Sequence, residues 1–458
     1  MATPSLTPLV PRDHAADEVA RERVVKEGVQ LVDLQFSDLT GGVKSLTIPA
    51  ALLASTLTQG YRFDGAALTG GARHHEIDLY LVPDPTTLAV FPGVGGASER
   101  AKRARIYCSV HRRDGQPFAG DPRSTLQRTL EDCAAAGFDY RVGLEIEYYL
   151  IRGDQAAGGM PLLPDQAGYF DLGEDLIAGT RDEIVATLHE IGVGIGGAHH
   201  ETGPGQEELD LLPTGGVKMA DQIMTVRQVI RSVAQRRGLR ATFMPKPLTN
   251  VPGSGMHLFQ RLASLDDGTD LIRAKDAPDE LSPLARQVIA GQLSHAAALC
   301  AITCPTVNSY KRLAAGHRAP RHALWARVGQ AALIRVPAWA AGEDGALELR
   351  CPDAMANPYL AFAAVVACAM DGVRAGEEPP SPLDESLVAY DESELHKLGV
   401  PALPRTLGQA LDALAGDDVL RDALGEYIFE QLLSVKRAEH DEYRRYVTPW
   451  ELARYGDG

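Results

Sequence analysis

Short apolar strands that carry acidic residues on one face recur along this chain. The stretch VGLEIEYYLI, residues 142–151, alternates Leu144 and Ile146 with Glu145 and Glu147. Because successive strand side chains point to opposite faces, the two carboxylates lie side by side on one face. A strand with one solvated face shows the same alternation, so this stretch alone does not indicate a function.

Further short strands repeat this arrangement. EELDLL places Glu208 and Asp210 on one face, GMHLFQ projects His257, ALELRC projects Glu348, and AALIRVP carries Arg335 amid apolar residues. If these strands are neighbours in one sheet, their polar faces form a concave wall that binds metal ions and phosphate.

Helical periodicity alternates with these strands. VQLVDLQFSDLTGGVKSLTIPA predicts a β-hairpin, and helices are predicted at 123–136 and 181–191. The C-terminal stretch LGEYIFEQLLSVKRAEHDEYRRYVTPWELARY predicts a long amphipathic helix and then a short one. We predict an α+β fold with a leader and short helix at 1–26, a small β-rich unit at 27–112 and a larger α+β unit at 113–458.

The composition narrows the class of protein. The chain has 458 residues, 45% of them hydrophobic, and a formal net charge of −16. That charge disfavours a nucleic-acid partner, since nonspecific binding to phosphate backbones depends on Lys and Arg. No apolar run approaches the roughly 20 residues of a membrane span, and the N-terminus lacks the apolar centre of a signal peptide. We therefore expect a cytoplasmic protein with no membrane partner.

The six cysteines are scattered and form no CxxC pair, which indicates reduced thiols. Cys300 and Cys304 are four residues apart in LSHAAALCAITC, so on a helix they face one partner. Buried hydrophobic side chains are the favoured interpretation here, and a ligand pair is the alternative.

A set of segments between residues 29 and 455 adds chemistry to this pattern: FDGAAL, GLEIEYYL, AHHETGPGQEEL, ATFMPKP, GSGMH, NSYKRL, LIRVP and LELRCPDAMANPYLAF. Together and in this order they resemble the glutamine synthetase family. The resemblance implies a β-grasp-like domain at 27–112 and a catalytic domain at 113–458 with an antiparallel sheet. It also implies a homo-oligomer, a hexameric ring or a dodecamer, with funnel-shaped sites between subunits.

The reaction implied by the resemblance is phosphorylation of the γ-carboxylate of glutamate by ATP, followed by attack of a nitrogen nucleophile to give an amide. Two or three Mg²⁺ or Mn²⁺ ions are implied, which suits carboxylate ligands. Matching positions assign one ion to Glu147, Glu201 and Glu208, and the other to Glu145, His257 and Glu348.

Substrate contacts are also implied by matching positions. They are Arg312 and Arg350 for the glutamate carboxylates, Arg335 for the nucleotide phosphates, Gly253 and Glu201 for the amino acid, Tyr169 for the nitrogen site, and Asp64 from the adjacent subunit for deprotonation of ammonium.

The chain departs from the family beside the nitrogen site. AGHRAP stands where ammonia-using members read PGYEAP, so Arg318 replaces the Glu that binds ammonium. At 4 Å and an effective dielectric near 20, two unit charges interact by about 4 kcal/mol, so an inward Arg318 would disfavour a bound cation by roughly 8 kcal/mol. The alternative is that Arg318 sits in solvent. Ala66 and Ala67 also lack the hydroxyls of the family's FDGSS.

Other departures lie near the nucleotide and the amino acid. Gln330 occupies the position of a catalytic phosphate Arg, Ala346 replaces another Arg near ATP, and Pro252 replaces an Asn. Arg327 is the candidate substitute for the missing arginines. Val388 lies near a Tyr that some bacterial members adenylylate, so we predict no such control.

The matching positions and the departures together leave three candidate functions. The leading hypothesis is an ATP-dependent carboxylate–amine ligase that joins glutamate to an amine other than ammonium. The alternatives are an ordinary glutamine synthetase and a weakly active homologue with a binding or regulatory role. His74 and His75 are interpreted as solvated loop residues, and His199 and His200 as supports for Glu201.

Overall fold

The computed structural model describes residues 8–68, 78–91, 101–153, 163–277, 280–315, 318–339, 343–383 and 392–457. Its strands form two sheets. They are β1 (Leu31–Ser37), β2 (Val43–Pro49), β3 (Tyr61–Asp64), β4 (Asp78–Pro83), β5 (Ala89–Val90), β6 (Arg103–His111), β7 (Phe138–Arg152), β8 (Ile195–His200), β9 (Gln206–Gly215), β10 (Leu239–Thr242), β11 (Met256–Ser264), β12 (Trp325–Ala326), β13 (Ile334–Arg335) and β14 (Leu347–Leu349).

The first sheet contains β1 to β6 in the order β2-β1-β6-β4-β3, with β5 paired to β6. The predicted hairpin is confirmed, because β1 and β2 pair antiparallel over their full length. Asp38 closes its turn by accepting hydrogen bonds from the backbone amides of Thr40 and Gly42. β1 also pairs in parallel with β6, which completes a β-grasp arrangement.

The second sheet has eight strands in the order β12-β13-β14-β11-β7-β9-β8, with β10 paired to β7. The strand pairs are antiparallel, as predicted, except that β12 and β13 run parallel. In the long central strand β7, Leu144 and Ile146 are buried in the main hydrophobic core, which the helices cover. Glu145 and Glu147 lie on the opposite face, which is free to form a site.

The helices are α1 (His14–Lys26), α2 (Leu53–Gln59), α3 (Pro122–Ala135), α4 (Asp175–Glu190), α5 (Gly216–Arg236), α6 (Pro283–Ser294), α7 (Ala296–Thr303), α8 (Ser309–Ala314), α9 (Pro358–Ala375), α10 (Glu392–Lys397), α11 (Leu407–Ala415), α12 (Asp418–Leu424), α13 (Glu426–Arg445) and α14 (Pro449–Tyr455). The predicted helix at 123–136 is α3. The predicted helix at 181–191 is α4, which begins six residues earlier. Gly179 and Thr180 are weak helix formers, but burial of Ile177 and Thr180 outweighs that preference.

Helix α9 lies in the centre of the larger core. It is long and apolar enough to cross a membrane, but 78% of its 18-residue span is buried inside the protein. It crosses α6 at two glycines. A Cβ on Gly291 would lie 2.2 Å from the carbonyl oxygen of Cys368, and one on Gly372 would lie 2.2 Å from that of Gln287. Only glycine fits at this crossing.

The two terminal predictions are also confirmed. The short charged helix before residue 26 is α1, and the long and short C-terminal helices are α13 and α14. Three large aromatic side chains near α14, Tyr446, Trp450 and Tyr455, are exposed. This end of the chain therefore presents apolar surface.

Candidate metal and substrate site

Strand register brings the predicted acidic and imidazole side chains onto one face of the second sheet. Glu145 on β7 lies opposite His257 on β11 and opposite Asp210 on β9, while Glu147 lies opposite Glu208. Directly opposed residues of antiparallel strands have Cβ atoms about 4.5–5.5 Å apart on the same face. We call this face of β7, β9, β11 and β14 the acidic wall.

One end of the acidic wall holds a compact group of three possible metal ligands. The Nδ1 atom of His257 is 3.1 Å from Oε2 of Glu145 and 3.6 Å from Oε1 of Glu348. One ligand atom from each of the three residues lies within 4.8 Å of the others. The structure thus brings together the set that the sequence assigned to one ion.

The other end holds Glu147, Glu201 and Glu208. Glu147 accepts hydrogen bonds from the backbone amide of Gly255 at 2.9 Å and from Nε2 of Gln206 at 3.1 Å. Oε1 of Glu208 is 3.2 Å from Nε2 of His199. Glu147 and Glu208 are direct register partners, but among the described residues Glu147, Glu201 and Glu208 do not form a group as compact as that of Glu145, His257 and Glu348.

Asp210 is a possible ligand that the sequence analysis placed on the wall but assigned to no ion. Among the described residues it forms a compact group with Glu145 and Glu208, and its Oδ1 atom is buried without a hydrogen-bond partner. Strand alternation indicated this position, because Asp210 lies two residues after Glu208 on the same face of EELDLL. An unpartnered buried carboxylate oxygen fits a cation as its partner.

Keeping the buried carboxylates of the acidic wall ionised costs free energy when no cation is bound. Burial raises the pKa of Glu147 to about 7, partly offset by Arg312, and raises that of Glu208 to about 8, partly offset by its hydrogen bond to His199. Burial also raises the pKa of Glu145 and lowers that of His257 well below its ordinary value. A neutral imidazole is the form that binds metal. Because carboxylate oxygens dominate the donor set, the residues fit a hard divalent cation.

Arginines line the wall beside Glu348. That carboxylate is fully buried and forms ion pairs with both Arg335 and Arg350. Arg350 also donates to the backbone carbonyl of Gln330 at 2.8 Å and to that of Arg318 at 3.5 Å. These guanidinium groups balance the buried negative charge and lie where phosphate or carboxylate groups of substrates would meet them.

Arg312 and Gly253 form an adjacent contact. Arg312 is buried and donates to the carbonyl of Cys351 at 2.7 Å and that of Arg350 at 3.1 Å. A Cβ on Gly253 would lie 2.6 Å from the carbonyl oxygen of Pro245 and 2.8 Å from Cγ of Arg312. Glycine is therefore required at 253 for this close packing.

Aromatic side chains lie beside the acidic wall. We call the cluster of Tyr169, Phe170, His199 and Arg318 the mouth of the site. The rings of Tyr169 and Phe170 are 4.2 Å apart, and the Phe170 ring is 4.4 Å from that of His199. The Arg318 guanidinium lies 5.6 Å from the Tyr169 ring centroid, and Arg318 is exposed. Phe170 has φ of 61°, a left-handed conformation that is rare for a bulky residue. The sequence gives no signal for Phe170, since its role depends on this backbone turn.

His199 and His200 lie beside the acidic wall. The hydrogen bond to Glu208 raises the pKa of His199 to about 9, although burial opposes the shift. His200 is buried, with Nδ1 2.7 Å from the carbonyl oxygen of Glu201 and Nε2 3.2 Å from Asp165. His200 thus contacts the backbone of Glu201, whereas His199 contacts Glu208, and the support of Glu201 by both residues stays a prediction.

Comparison with known proteins identifies the family. The glutamine synthetase catalytic domain model matches residues 119–455, and the glutamine synthetase β-grasp domain model matches residues 28–113. The chain is 41% identical over 434 residues to a glutamine synthetase of Halobacterium salinarum, covering 94% of each chain. The chain belongs to the glutamine synthetase family. It is also 38% identical over 439 residues to the glutamine synthetase of Thermotoga maritima, covering 96% of this chain and 99% of that one.

Solved structures of GmaS share the whole fold. Its ADP complex has a TM-score of 0.85 and 29% identity, and its ligand-free form has a TM-score of 0.83 and 30% identity. Each alignment covers 96% of this chain and 99% of GmaS. Members of the glutamine synthetase family are ATP-dependent ligases that use divalent metal ions, and the donor set of the acidic wall suits that chemistry.

Some predicted glutamine synthetase positions lie away from the wall or outside the described residues. Asp64 ends β3 in the first sheet, is exposed, and accepts a hydrogen bond from the backbone amide of Ala66. Its predicted role in a neighbouring subunit stays a prediction. His74, His75 and Val388 lie outside the described residues.

The departures near the nucleotide and the amino acid lie in three different environments. The Pro252 carbonyl accepts a hydrogen bond from Tyr149 at 2.8 Å. Ala346 is buried next to β14, and Gln330 is exposed and meets Arg350 only through its backbone carbonyl in the described contacts.

Proposed function

We propose that this protein joins the γ-carboxylate of glutamate to an amine other than ammonium, using ATP and Mg²⁺ or Mn²⁺. The observation that carries this proposal is the pairing of an intact acidic wall with a cationic, aromatic mouth. The wall supplies the ligands that the family's phosphoryl transfer needs. The mouth carries the guanidinium of Arg318 beside Tyr169, where an ammonium-binding site requires negative charge.

We assign a separate role in phosphoryl transfer to each group of residues in and beside the acidic wall. Divalent ions held by these residues would neutralise phosphate charge during the transfer. We assign one ion to Glu145, His257 and Glu348, and the other to Glu147, Glu201 and Glu208. Arg335 takes the nucleotide phosphates, while Arg312, Arg350 and Gly253 hold glutamate. A γ-carboxylate oxygen then bonds to the γ-phosphorus, ADP leaves, and γ-glutamyl phosphate forms.

The second step forms the amide at the mouth. The amine nitrogen attacks the γ-carbonyl carbon, inorganic phosphate leaves, and the nitrogen loses a proton. We assign the proton acceptor to Asp64 of a neighbouring subunit and the wall of the nitrogen site to Tyr169. This role for Asp64 requires the ring-shaped homo-oligomer, hexameric or dodecameric, that we propose. Exposed Trp450 and Tyr455 near the C-terminus supply apolar surface suited to subunit contact.

The nitrogen nucleophile is expected to arrive neutral or with its own anionic group. The Arg318 guanidinium lies over the ring of Tyr169. Its positive charge disfavours a polyamine. The rings of Tyr169 and Phe170 offer apolar surface to an alkyl or aryl substituent. The fold is also shared with GmaS, a γ-glutamylmethylamide synthetase.

Ordinary glutamine synthesis with ammonium is the second candidate. It is favoured by the relatives at 41% and 38% identity, which are named glutamine synthetase. A weakly active homologue, the third, is opposed by the acidic wall, because buried carboxylates are costly to keep without a cation. We further propose that the protein acts in the cytoplasm.

ADP release decides between these functions. The protein is incubated with ATP, glutamate and Mg²⁺ or Mn²⁺, and then with ammonium, methylamine, a neutral aromatic amine, an aromatic amine bearing a carboxylate, or a diamine. We expect an aromatic amine to exceed ammonium in kcat/KM, with the diamine slowest. A clear preference for ammonium would support glutamine synthesis instead, and metal binding without ADP release for any amine would support the weakly active homologue. The Glu348→Gln variant is the matched background for each reaction.

A further inference from the structure

Three cysteines from two segments of the chain converge in the main hydrophobic core. Cys300 lies in α7, Cys304 follows the end of that helix, and Cys351 follows β14. Their three sulfur atoms lie within 4.8 Å of one another, and all three residues are fully buried. We call this group the thiol cluster. The sequence analysis foresaw burial of Cys300 and Cys304 but not the approach of Cys351, which is 47 residues away from Cys304 along the chain.

The spacing of the thiol cluster matches that of a metal site. Metal–thiolate bonds are about 2.3 Å long in zinc sites, so three sulfurs around one planar trigonal ion lie roughly 4.0 Å apart. Separations below 4.8 Å reach this value with shifts of less than about 1 Å. Packing alone does not require three thiols to point at one another, since any small apolar side chain would fill the same space.

The surroundings of the thiol cluster select the kind of ion. Among the described residues, no fourth cysteine, histidine or carboxylate joins the group. Two oxygen atoms lie near the sulfurs: the carbonyl oxygen of Cys351 is 3.0 Å from the sulfur of Cys304, and the hydroxyl oxygen of Thr303 is 3.6 Å from the sulfur of Cys351. A buried trigonal set of sulfur ligands suits a soft monovalent cation better than Zn²⁺, which is almost always four-coordinate in structural sites.

A positive charge lies beside the cluster. Arg312 donates from Nη1 to the carbonyl oxygen of Cys351 at 2.7 Å, and the same carbonyl accepts from the sulfur of Cys304 at 3.0 Å. Three thiolates around one monovalent cation carry a net charge of −2, which burial disfavours. The buried guanidinium of Arg312 offsets part of that charge.

We propose that the thiol cluster is a binding site for one Cu(I) ion, held by the sulfurs of Cys300, Cys304 and Cys351. Three copper–sulfur bonds form, and three protons leave the thiols for solvent. No change of oxidation state is involved, because copper is supplied as Cu(I). Since burial is complete, uptake requires local opening and is slow compared with binding at an exposed site.

The proposal is tested by titrating the full-length, reduced protein with Cu(I) under anaerobic conditions, in competition with a coloured Cu(I) chelator. We expect one Cu(I) per chain and an ultraviolet thiolate-to-copper absorption band. Cys300→Ala, Cys304→Ala and Cys351→Ala should each lower the affinity by more than about 100-fold, since loss of even an outer partner typically costs about 10-fold to 100-fold. Cys108→Ala is the matched control, because Cys108 is equally buried but lies in the other core.

Three outcomes would overturn the proposal. They are no Cu(I) uptake by the wild-type protein, equal affinity in the cluster variants, and an equal loss in Cys108→Ala. If a cluster variant fails to fold, X-ray absorption of the wild-type copper complex replaces it. Three sulfurs at about 2.3 Å support the site, whereas nitrogen or oxygen neighbours would assign the copper to the acidic wall and refute it.

Discussion

Reversing the charge of Arg318 is the sharpest test of the proposed nitrogen site. Its guanidinium carbon lies 5.6 Å from the centroid of the Tyr169 ring. A cation held against that ring would interact with Arg318 by about 3 kcal/mol at an effective dielectric of 20, but by only about 0.7 kcal/mol in water. Because Arg318 is exposed, the value for water applies. The roughly 8 kcal/mol expected for an inward side chain is therefore too large.

The Arg318→Glu variant exchanges repulsion for attraction, which changes the interaction by about 1.5 kcal/mol. We expect KM for ammonium to fall about 10-fold in assays of ADP release, with little change for a neutral aromatic amine. KM for an amine that bears a carboxylate should rise by a similar factor. The effect on ammonium should shrink at 1 M salt, where screening is stronger.

Arg444→Glu is the control for this experiment, because Arg444 is exposed near the end of α13 and the change in net charge is identical. If both variants leave KM for ammonium within twofold of the wild type, Arg318 does not act on the nitrogen nucleophile, and the argument for an amine other than ammonium fails.

Three further outcomes follow from the site and the core. Glu348→Gln removes a buried wall carboxylate, and we expect kcat/KM for ADP formation to fall at least about 100-fold with an unchanged circular dichroism spectrum; near-normal turnover would exclude Glu348 as a ligand. The folded pKa values of Glu147 and Glu208 are raised, so their stabilising effect is complete below about pH 4.5 and is lost as the pH rises through about 7 and about 8 in the metal-free protein. The rise in Tm on adding Mn²⁺ should therefore be larger at pH 8 than at pH 6, and equal shifts would contradict this assignment. Gly291→Ala forces a Cβ against α9 and should destabilise folding by about 1–3 kcal/mol, whereas Gly416→Ala, whose Cβ meets only the carbonyl oxygen of Ala413 at 3.8 Å, should leave Tm nearly unchanged.

The sequence predicts the acidic wall well because strand alternation is local. The alternation of β7 is enough to place Glu145 and Glu147 on one face. Local alternation does not predict their partners, because His257 lies 112 residues from Glu145 and meets it only through strand register. Resemblance to a family supplied that pairing, and periodicity alone did not.

Features set by turns and by long-range packing could not be predicted in this way. Phe170 reaches the mouth through a left-handed backbone conformation that nothing in its neighbours specifies. The orientation of Arg318 depends on its loop, so the sequence left both an inward and a solvent position open. Cys351 joins Cys300 and Cys304 only because β14 ends beside α7 in the folded core.

Mn²⁺ binding to the protein, followed by electron paramagnetic resonance, tests the central claim most directly. If strands β7, β9, β11 and β14 together form a divalent-cation site, the wild-type chain should bind at least two Mn²⁺ ions, and His257→Ala should bind one fewer. Failure of the wild type to bind Mn²⁺, or the same count in His257→Ala, would contradict the account.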